Sequence, residues 1–283
     1  MSETHIGGIL RKLEWKTAHS AYYTDPIEGK EREIDVIARR TWLSKKREQY
    51  IHLLLLAECK SLINKPILLS EIPDSKFGGE RLYFQWSGAE DDEFRDEIRH
   101  ILEAHDIDGK SVMAHFNEQV FPQGEAIVSN FIPDPMKPPL RASAARESTK
   151  DSDSGPMWDG MRQVFSALDG TRREETLFAL QDLRDELAAA DKADAEFATD
   201  HLRRAAQTLM LYHPIVTVEA PIFRVTPSGQ IKSVPWGRVS QARIQSVPSR
   251  WIDVVHAAAF DEYAAKLTES YDRFFARRKC ERV

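Results

Sequence analysis

The sequence predicts an α/β fold (α+β, with a mixed sheet), and three patterns support this prediction. Strand-length apolar runs alternate with segments of helical periodicity along the 283 residues. The run 51–57 is almost entirely apolar, which is typical of a central strand covered on both faces. The chain ends in an amphipathic pattern over 260–278, where aromatic residues recur at helical spacing, as expected for a helix packed on a core.

The first part of the chain predicts one helix followed by three strands. Apolar residues at Ile6, Ile9 and Leu10 indicate a helix over 3–13. Three strands are then expected, and a Pro–Gly turn and a polar loop separate them. The strands are 19–24, 32–40 and 50–60, the turn is 25–30, and the loop is 41–49.

The remainder alternates between extended, irregular and helical patterns. An extended stretch at 66–86 and an acidic amphipathic segment at 91–104 precede a long irregular piece, 106–156. Within that piece, 141–155 is rich in Ser, Ala and charge, which favours a mobile linker.

Helical and strand patterns return after this linker. Helices are expected at 158–168, 174–187 and 195–212, and strands at 213–225, 231–244 and 250–256, with a turn at 226–229. Residues 161–168 are expected to supply the helix that packs on the sheet. The predicted organisation is therefore an N-terminal half-core (1–66), an insertion with a flexible linker (67–156) and a segment that completes the core (157–283).

Three Glu-x-Lys tripeptides begin at Glu14, Glu28 and Glu58, whereas about one is expected by chance in a chain of this length. Context favours the third. Glu28 lies in the Pro–Gly turn, and Glu14 follows the first helix, so both are expected on the solvated surface. Glu58 and Lys60 end the apolar central strand, and strand alternation directs both side chains to one face.

Asp35, on the preceding predicted strand, would come beside Glu58 when the two strands pair. Two such carboxylates repel each other unless a cation lies between them, and a hard divalent ion such as Mg²⁺ supplies that charge. The ion would polarise a phosphoryl oxygen and activate a bound water, while Lys60 would orient the water or stabilise the transition state. The alternative from the same residues is a buried ion network without chemistry.

These residues resemble the PD-(D/E)xK nuclease superfamily, which has the restriction-endonuclease-like fold. That family's core runs helix, three strands, helix, strand, with an Asp on the second strand and (Asp/Glu)-x-Lys on the third. Here Asp35 lies in Glu-Ile-Asp-Val-Ile-Ala, and Glu58 and Lys60 lie in Leu-Leu-Ala-Glu-Cys-Lys. The resemblance covers roughly residues 3–66 and implies such a core with a large insertion and extra helices.

The resemblance implies a metal-dependent nuclease, an endonuclease or exonuclease that hydrolyses phosphodiester bonds. Asp35, Glu58 and Lys60 would be catalytic, and Mg²⁺, with Mn²⁺ as a substitute, would be the cofactor. The metal ligands would be Asp35, Glu58 and the backbone carbonyl of Cys59. Many members carry a further acidic residue on the first helix; Glu3 fills that place here, with Glu14 the weaker candidate.

Composition excludes several classes. Cys59 and Cys280 are the only cysteines, which excludes a disulfide scaffold and a Cys-rich zinc site. The sequence shows neither a membrane span nor a signal peptide, so a cytoplasmic protein without a membrane partner is expected. The net charge is −6, yet 30–47 carries seven basic against three acidic residues and 271–283 five against two, which suits a phosphate backbone.

Two classes of function therefore stay open. The favoured one is a nuclease whose nucleic-acid substrate is DNA, with an RNase of the same fold as the variant. The rival is a catalytically silent nuclease-like fold that binds nucleic acid or acts as a scaffold. A homodimer or a partner protein is compatible with either.

Overall fold

The computed structural model describes residues 3–45, 49–61, 66–71, 83–85, 92–115, 141–147, 156–190, 194–205, 208–240 and 251–283. It is a mixed α/β protein, as predicted, with helices against a mixed sheet. In the described part, no helix is both long and apolar enough to cross a membrane.

The helices and strands follow one another in the order that the sequence predicts for the first part of the chain. The helices are α1 (Glu3–Lys12), α2 (Asp92–Glu103), α3 (Gly109–His115), α4 (Pro156–Ala189), α5 (Ala195–Ala205) and α6 (Phe260–Arg277). The strands are β1 (Lys16–Thr24), β2 (Glu31–Ser44), β3 (Gln49–Lys60), β4 (Ile67–Glu71), β5 (Tyr83–Gln85), β6 (Arg141–Glu147), β7 (Thr208–Val218), β8 (Ile222–Val225), β9 (Ile231–Val234), β10 (Trp236–Ser240), β11 (Trp251–His256) and β12 (Cys280–Arg282).

The described strands form one sheet in the order β1-β2-β3-β7-β11-β10-β6-β4-β8-β9, with β12 paired to β2 and β5 paired to β7 outside this order. The pairs β1–β2 and β2–β3 are antiparallel, whereas β3 and β7 run parallel over eleven residue pairs. A parallel pair needs a long crossover, and the helices between 92 and 205 supply it. All three predicted segments of the chain contribute strands to this sheet.

The two faces of β3 pack against different helices. Leu53, Leu55 and Ala57 join a core cluster with apolar residues of α1 and α6. Leu54 and Leu56 join a second cluster with residues 161–168 of α4. The central strand is therefore covered on both faces, and the prediction that 161–168 pack on the sheet is confirmed.

A close approach of α4 to the end of β3 depends on Gly160. A Cβ at this position would lie 3.0 Å from both Cγ and Cε of Lys60. The missing side chain leaves room for the Lys60 stem between the helix and the sheet, so this glycine positions the lysine.

The predicted loop 41–49 is wrong over its first part. Strand β2 continues to Ser44, and Trp42, 2% exposed, packs in the first core cluster against Phe275 of α6. The last three residues of β2, Trp42 to Ser44, also pair with β12. The sequence around them does not predict this pairing, because β12 lies at the other end of the chain. Residues 46–48 lie outside the described residues.

Several further element predictions have wrong boundaries. Helix α4 runs through both helices predicted at 158–168 and 174–187, and the strand predicted over 213–225 is divided between β7 and β8. Of the helix predicted over 195–212, residues 195–205 are helical, 206 and 207 lie outside the described residues, and 208–212 belong to β7, whose apolar residues fit either periodicity. The described part of the strand predicted over 231–244 is two strands, because Pro235 separates β9 from β10 and the two pair with different neighbours; 241–244 lie outside the described residues.

The irregular piece 106–156 contains ordered elements. Helix α3 lies within it, and the predicted linker 141–155 begins with β6, which pairs with both β4 and β10. The mobile-linker interpretation is thus wrong for 141–147, because tertiary pairing with distant strands overrides a weak local preference. Residues 148–155 lie outside the described residues.

Candidate metal site at the divergence of β2 and β3

Asp35 lies at the point where β2 separates from β3. The ladder between these strands ends at the pair Val36 and Ala57. One residue further, the Asp35 carboxylate takes the place of a backbone acceptor, because its Oδ2 accepts a hydrogen bond of 2.7 Å from the Cys59 amide. Asp35 is therefore fixed against the backbone of the Glu-x-Lys segment.

The regular alternation of side chains between the two faces of the sheet is interrupted on β2 beside Asp35. Val36 packs in the first core cluster with α1, whereas Ile34 packs in the second with α4. Opposite Asp35, Ser20 of β1 has a φ of 48°, an uncommon left-handed conformation for a residue other than glycine. This irregularity lets both strands turn and leaves the Asp35 side chain near the start of α1.

Three carboxylates gather at this position. Glu3, Glu33 and Asp35 each offer an oxygen, and the three oxygens lie within 4.8 Å of one another. Glu3 begins α1 and accepts from Ser20 Oγ at 3.5 Å, while Glu33 is exposed and Asp35 half-buried. The structure thus brings the predicted tentative ligand Glu3 to Asp35, and it adds Glu33, which the sequence reasoning did not select.

Glu58 and Lys60 lie together on the α4 side of the sheet. Lys60 Nζ donates to Glu58 Oε1 at 2.6 Å and to Gln163 Oε1 of α4 at 2.9 Å. Gln163 also donates from its Nε2 to the carbonyl of Glu33 at 3.5 Å. Gln163 therefore ties the lysine to the acidic strand from a helix about 100 residues later in the chain.

The environment of Glu58 is unfavourable for a negatively charged carboxylate. Glu58 is only 3% exposed, and its Oε2 has no hydrogen-bond partner among the described residues. Burial raises the pKa of Glu58, and the nearby charge of Asp35 raises it further, although hydrogen bonding from Lys60 and from the Asp35 backbone opposes both. A buried carboxylate oxygen without a partner is a suitable ligand for a cation, because the cation supplies the missing stabilisation.

Cys59 does not add thiol chemistry. Burial is the main cause that raises the pKa of its thiol to about 12, with contributions from both neighbouring carboxylates, so the side chain stays protonated. Its amide orients Asp35, and its carbonyl stays a predicted ligand.

The other two Glu-x-Lys segments are surface features, as expected. Glu14 is exposed and forms an ion pair with Arg282. Lys30 pairs with Glu28 at 3.3 Å in the turn after β1, and its side chain is 74% exposed. Trp15, between Glu14 and Lys16, is buried and donates from its Nε1 to Thr268 of α6 at 2.9 Å, so only the charged side chains of that segment lie on the surface.

The basic patches are largely neutralised. Arg40 is buried and forms a two-point ion pair with Asp272, and Lys45 pairs with Glu281 at 2.7 Å. Arg32 also lies in an ion pair, 2.9 Å from Asp25. Residues 46 and 47 lie outside the described residues. Arg39, Arg277 and Lys279 are exposed and no ion pair among the described residues holds them, so pairing removes most, but not all, of the local positive charge.

A second polar cluster lies inside the protein and was not found from the sequence. His213 bonds Asp253 at 3.0 Å, and Asp253 accepts two hydrogen bonds from Arg238, at 2.7 and 2.8 Å. Tyr263 and Tyr271 complete the network through their hydroxyl groups. All five side chains are at most 2% exposed and bonded to one another, so the network joins β7, β10, β11 and α6 and offers no surface to a substrate.

Comparison of this chain with family models, curated proteins and solved structures found no match in any of the three.

Proposed function

We propose that this protein is a metal-dependent nuclease that hydrolyses phosphodiester bonds in DNA. Asp35 and Glu58 supply carboxylate oxygens to a divalent ion, Mg²⁺ or Mn²⁺, with Glu3 and the Cys59 carbonyl as additional ligands. When bound, the metal polarises the phosphoryl oxygen and lowers the pKa of its water. Lys60 orients that water and stabilises the negative charge that develops on the phosphoryl group.

The order of elements supports this proposal. In the PD-(D/E)xK superfamily a helix and three strands precede a second helix and a fourth strand, and α1, β1 to β3, α4 and β7 follow that order here. The aspartate lies on the second strand, the Glu-x-Lys on the third, and the fourth pairs parallel to the third. This agreement involves connections over about 200 residues, so it is more specific than the tripeptide alone.

The observation that carries the proposal is the unpartnered Oε2 of Glu58. A carboxylate that served only an ion network would have both oxygens satisfied, as Asp253 does through Arg238, His213 and Tyr263. Glu58 instead retains a buried, unsatisfied oxygen while Asp35 adds negative charge nearby. Such an arrangement costs stability and is expected where a site serves ligand binding.

One observation favours the alternative, a catalytically silent nuclease-like fold. The short ion pair between Lys60 and Glu58, at 2.6 Å, resembles a structural pair. An RNase of the same fold differs from the proposal only in substrate. All three possibilities are separated by one set of assays.

The direct test is cleavage by the purified full-length chain. Plasmid DNA, single-stranded DNA and RNA are incubated with Mg²⁺, with Mn²⁺ or with EDTA. The proposal expects cleavage of DNA that requires the metal and is lost in Asp35→Ala, whereas RNA cleavage alone would assign the RNase variant. Absence of metal-dependent cleavage of every substrate would support the silent fold.

A further inference from the structure

A second candidate ligand cluster joins α4 to α5, away from the residues of the proposed nuclease site. Asp182 and Glu186 are four residues apart on α4, which places them on one face of the helix. His201 of α5 lies against that face, and one ligand atom from each of the three side chains lies within 4.8 Å of the other two. None of these residues was selected from the sequence.

The contact with Glu186 fixes the histidine ring. His201 Nδ1 lies 2.8 Å from Glu186 Oε2. An ionised carboxylate can only accept a hydrogen bond, so Nδ1 must carry the proton that it donates. The other ring nitrogen, Nε2, is then turned towards Asp182.

Nε2 of His201 is buried and unsatisfied. The residue is 3% exposed, and Nε2 has no hydrogen-bond partner among the described residues. The nearest carboxylate oxygen on that side, Asp182 Oδ2, is 3.8 Å away, which is too far for a hydrogen bond. A cation between this ring nitrogen and the carboxylate would give both of them a partner.

The distance between His201 Nε2 and Asp182 Oδ2 matches the span of a metal ion that is bonded to both atoms. A metal ion bonds imidazole nitrogen and carboxylate oxygen at about 2.0–2.2 Å each, so two such bonds span up to about 4.2 Å. The separation of 3.8 Å therefore accommodates an ion without movement of either helix. The Asp182 side chain is 55% exposed, which opens a path from solvent and leaves room for water ligands.

The nitrogen ligand determines which ions fit. Mg²⁺ and Ca²⁺ prefer oxygen ligands alone, whereas imidazole together with carboxylate suits Zn²⁺ and its first-row neighbours. The carboxylate behind the histidine is a common arrangement at such sites, because it holds the ring and increases its basicity.

We propose that His201 Nε2 and Asp182 bind a divalent first-row transition-metal ion of the Zn²⁺ type, with Glu186 as the positioning residue behind the ring. Water completes the coordination on the exposed side. The ion links α5 to the second half of α4, and it is independent of the proposed nuclease metal because the two sites share no residue.

The test measures Zn²⁺ and Co²⁺ binding to the full-length chain that carries Asp35→Ala, so that the proposed nuclease site is disabled. Calorimetry should show one Zn²⁺ site, and Co²⁺ should give visible absorption bands from nitrogen and oxygen ligation. Mg²⁺ should give no comparable heat. These results do not depend on whether the protein cleaves nucleic acid.

Variants in the same background assign the ligands. Asp182→Asn should weaken Zn²⁺ binding at least about 100-fold, and Glu186→Gln about 10- to 100-fold, as for other residues behind a ligating histidine. Asp185→Asn is the matched control, since Asp185 is an exposed carboxylate on the same helix that bonds Gln181 instead, and it should bind as the parent does. Equal Zn²⁺ affinity in Asp182→Asn and the parent, or no Zn²⁺ binding by the parent, would overturn the proposal.

Discussion

Replacing Glu58 with Gln removes a buried negative charge and keeps the shape of the side chain. The substitution tests whether this carboxylate binds metal, because it should stabilise the folded protein without metal and make it the less stable protein when metal is present. Without metal, Glu58 is 3% exposed, its Oε2 is unpartnered, and burial outweighs the ion pair with Lys60 in setting its raised pKa. Folding therefore shifts the balance towards the neutral form of Glu58 relative to the unfolded chain.

The size of the effect follows from the burial of one unsatisfied group. We expect Glu58→Gln to increase the free energy of unfolding by about 1 kcal/mol at pH 7 in EDTA. For a chain of this size that corresponds to a rise in Tm of about 2–4 °C.

The pH dependence has a definite sign. Because the folded pKa of Glu58 lies above its ordinary value of 4.5, wild type loses stability relative to Glu58→Gln as the pH rises through the folded pKa. Below pH 4.5 the glutamate is protonated in both the folded and the unfolded states, so the difference should vanish.

Metal should reverse the order of the two proteins. At a Mn²⁺ concentration 100-fold above its Kd, binding stabilises the folded protein by about 2.7 kcal/mol, which exceeds the gain from the substitution. Wild type should therefore melt above Glu58→Gln in Mn²⁺ and below it in EDTA. If Glu58→Gln is already the less stable protein in EDTA at pH 7, Glu58 belongs to a structural ion network and the reasoning is wrong.

Two further outcomes follow from the packing around the two buried carboxylates. Asp253→Asn, in contrast to Glu58→Gln, should lower the free energy of unfolding by about 3–5 kcal/mol, because it leaves the buried Arg238 guanidinium without its ionic partner. Urea denaturation measures this change, and a loss below about 1 kcal/mol would contradict the assignment. Gly160→Ala should reduce cleavage with little change in Tm, because the new Cβ would lie 3.0 Å from the flexible stem of Lys60 and displace it; unchanged cleavage rates would show that the position of Lys60 is not critical.

The elements around the site could be predicted because their signals are local. A helical pattern, a Pro–Gly turn and an apolar strand each depend on neighbouring residues, and α1, β1 and β3 lie close to their predicted positions. The strands that were missed or shortened depend on distant partners. Strand β6 forms between β4 and β10, and the last residues of β2 are paired by β12.

For the candidate site, the sequence suggests which residues to consider but not their full set of contacts. Asp35, Glu58 and Lys60 follow from strand alternation and the position of the tripeptide at a strand end. Gln163 could not be found in this way, because its contact with Lys60 depends on how α4 crosses the sheet. Glu33 was overlooked although its alternation with Asp35 on β2 places both on one side, and this signal was available in the sequence.

The cluster of His201, Asp182 and Glu186 illustrates the same limit. The spacing of the two carboxylates on α4 is visible in the sequence, but exposed acidic pairs at this spacing are common on helices. The histidine that adds a nitrogen ligand to the two carboxylates lies on the next helix, and its burial depends on how the two helices pack.

Substitution of Lys60 by Ala tests the central claim most directly, because it separates the proposed chemistry from metal binding. The lysine occupies Glu58 Oε1 at 2.6 Å, and its charge opposes a nearby cation, so Lys60→Ala should bind Mn²⁺ as tightly as wild type or slightly more tightly. Its single-turnover rate of DNA cleavage should nevertheless fall by at least about 100-fold, since the lysine acts on the transition state. Lys30→Ala, the same change in the exposed Glu-x-Lys of the turn, should leave the rate unchanged. DNA cleavage by Lys60→Ala at the wild-type rate would contradict the proposed site.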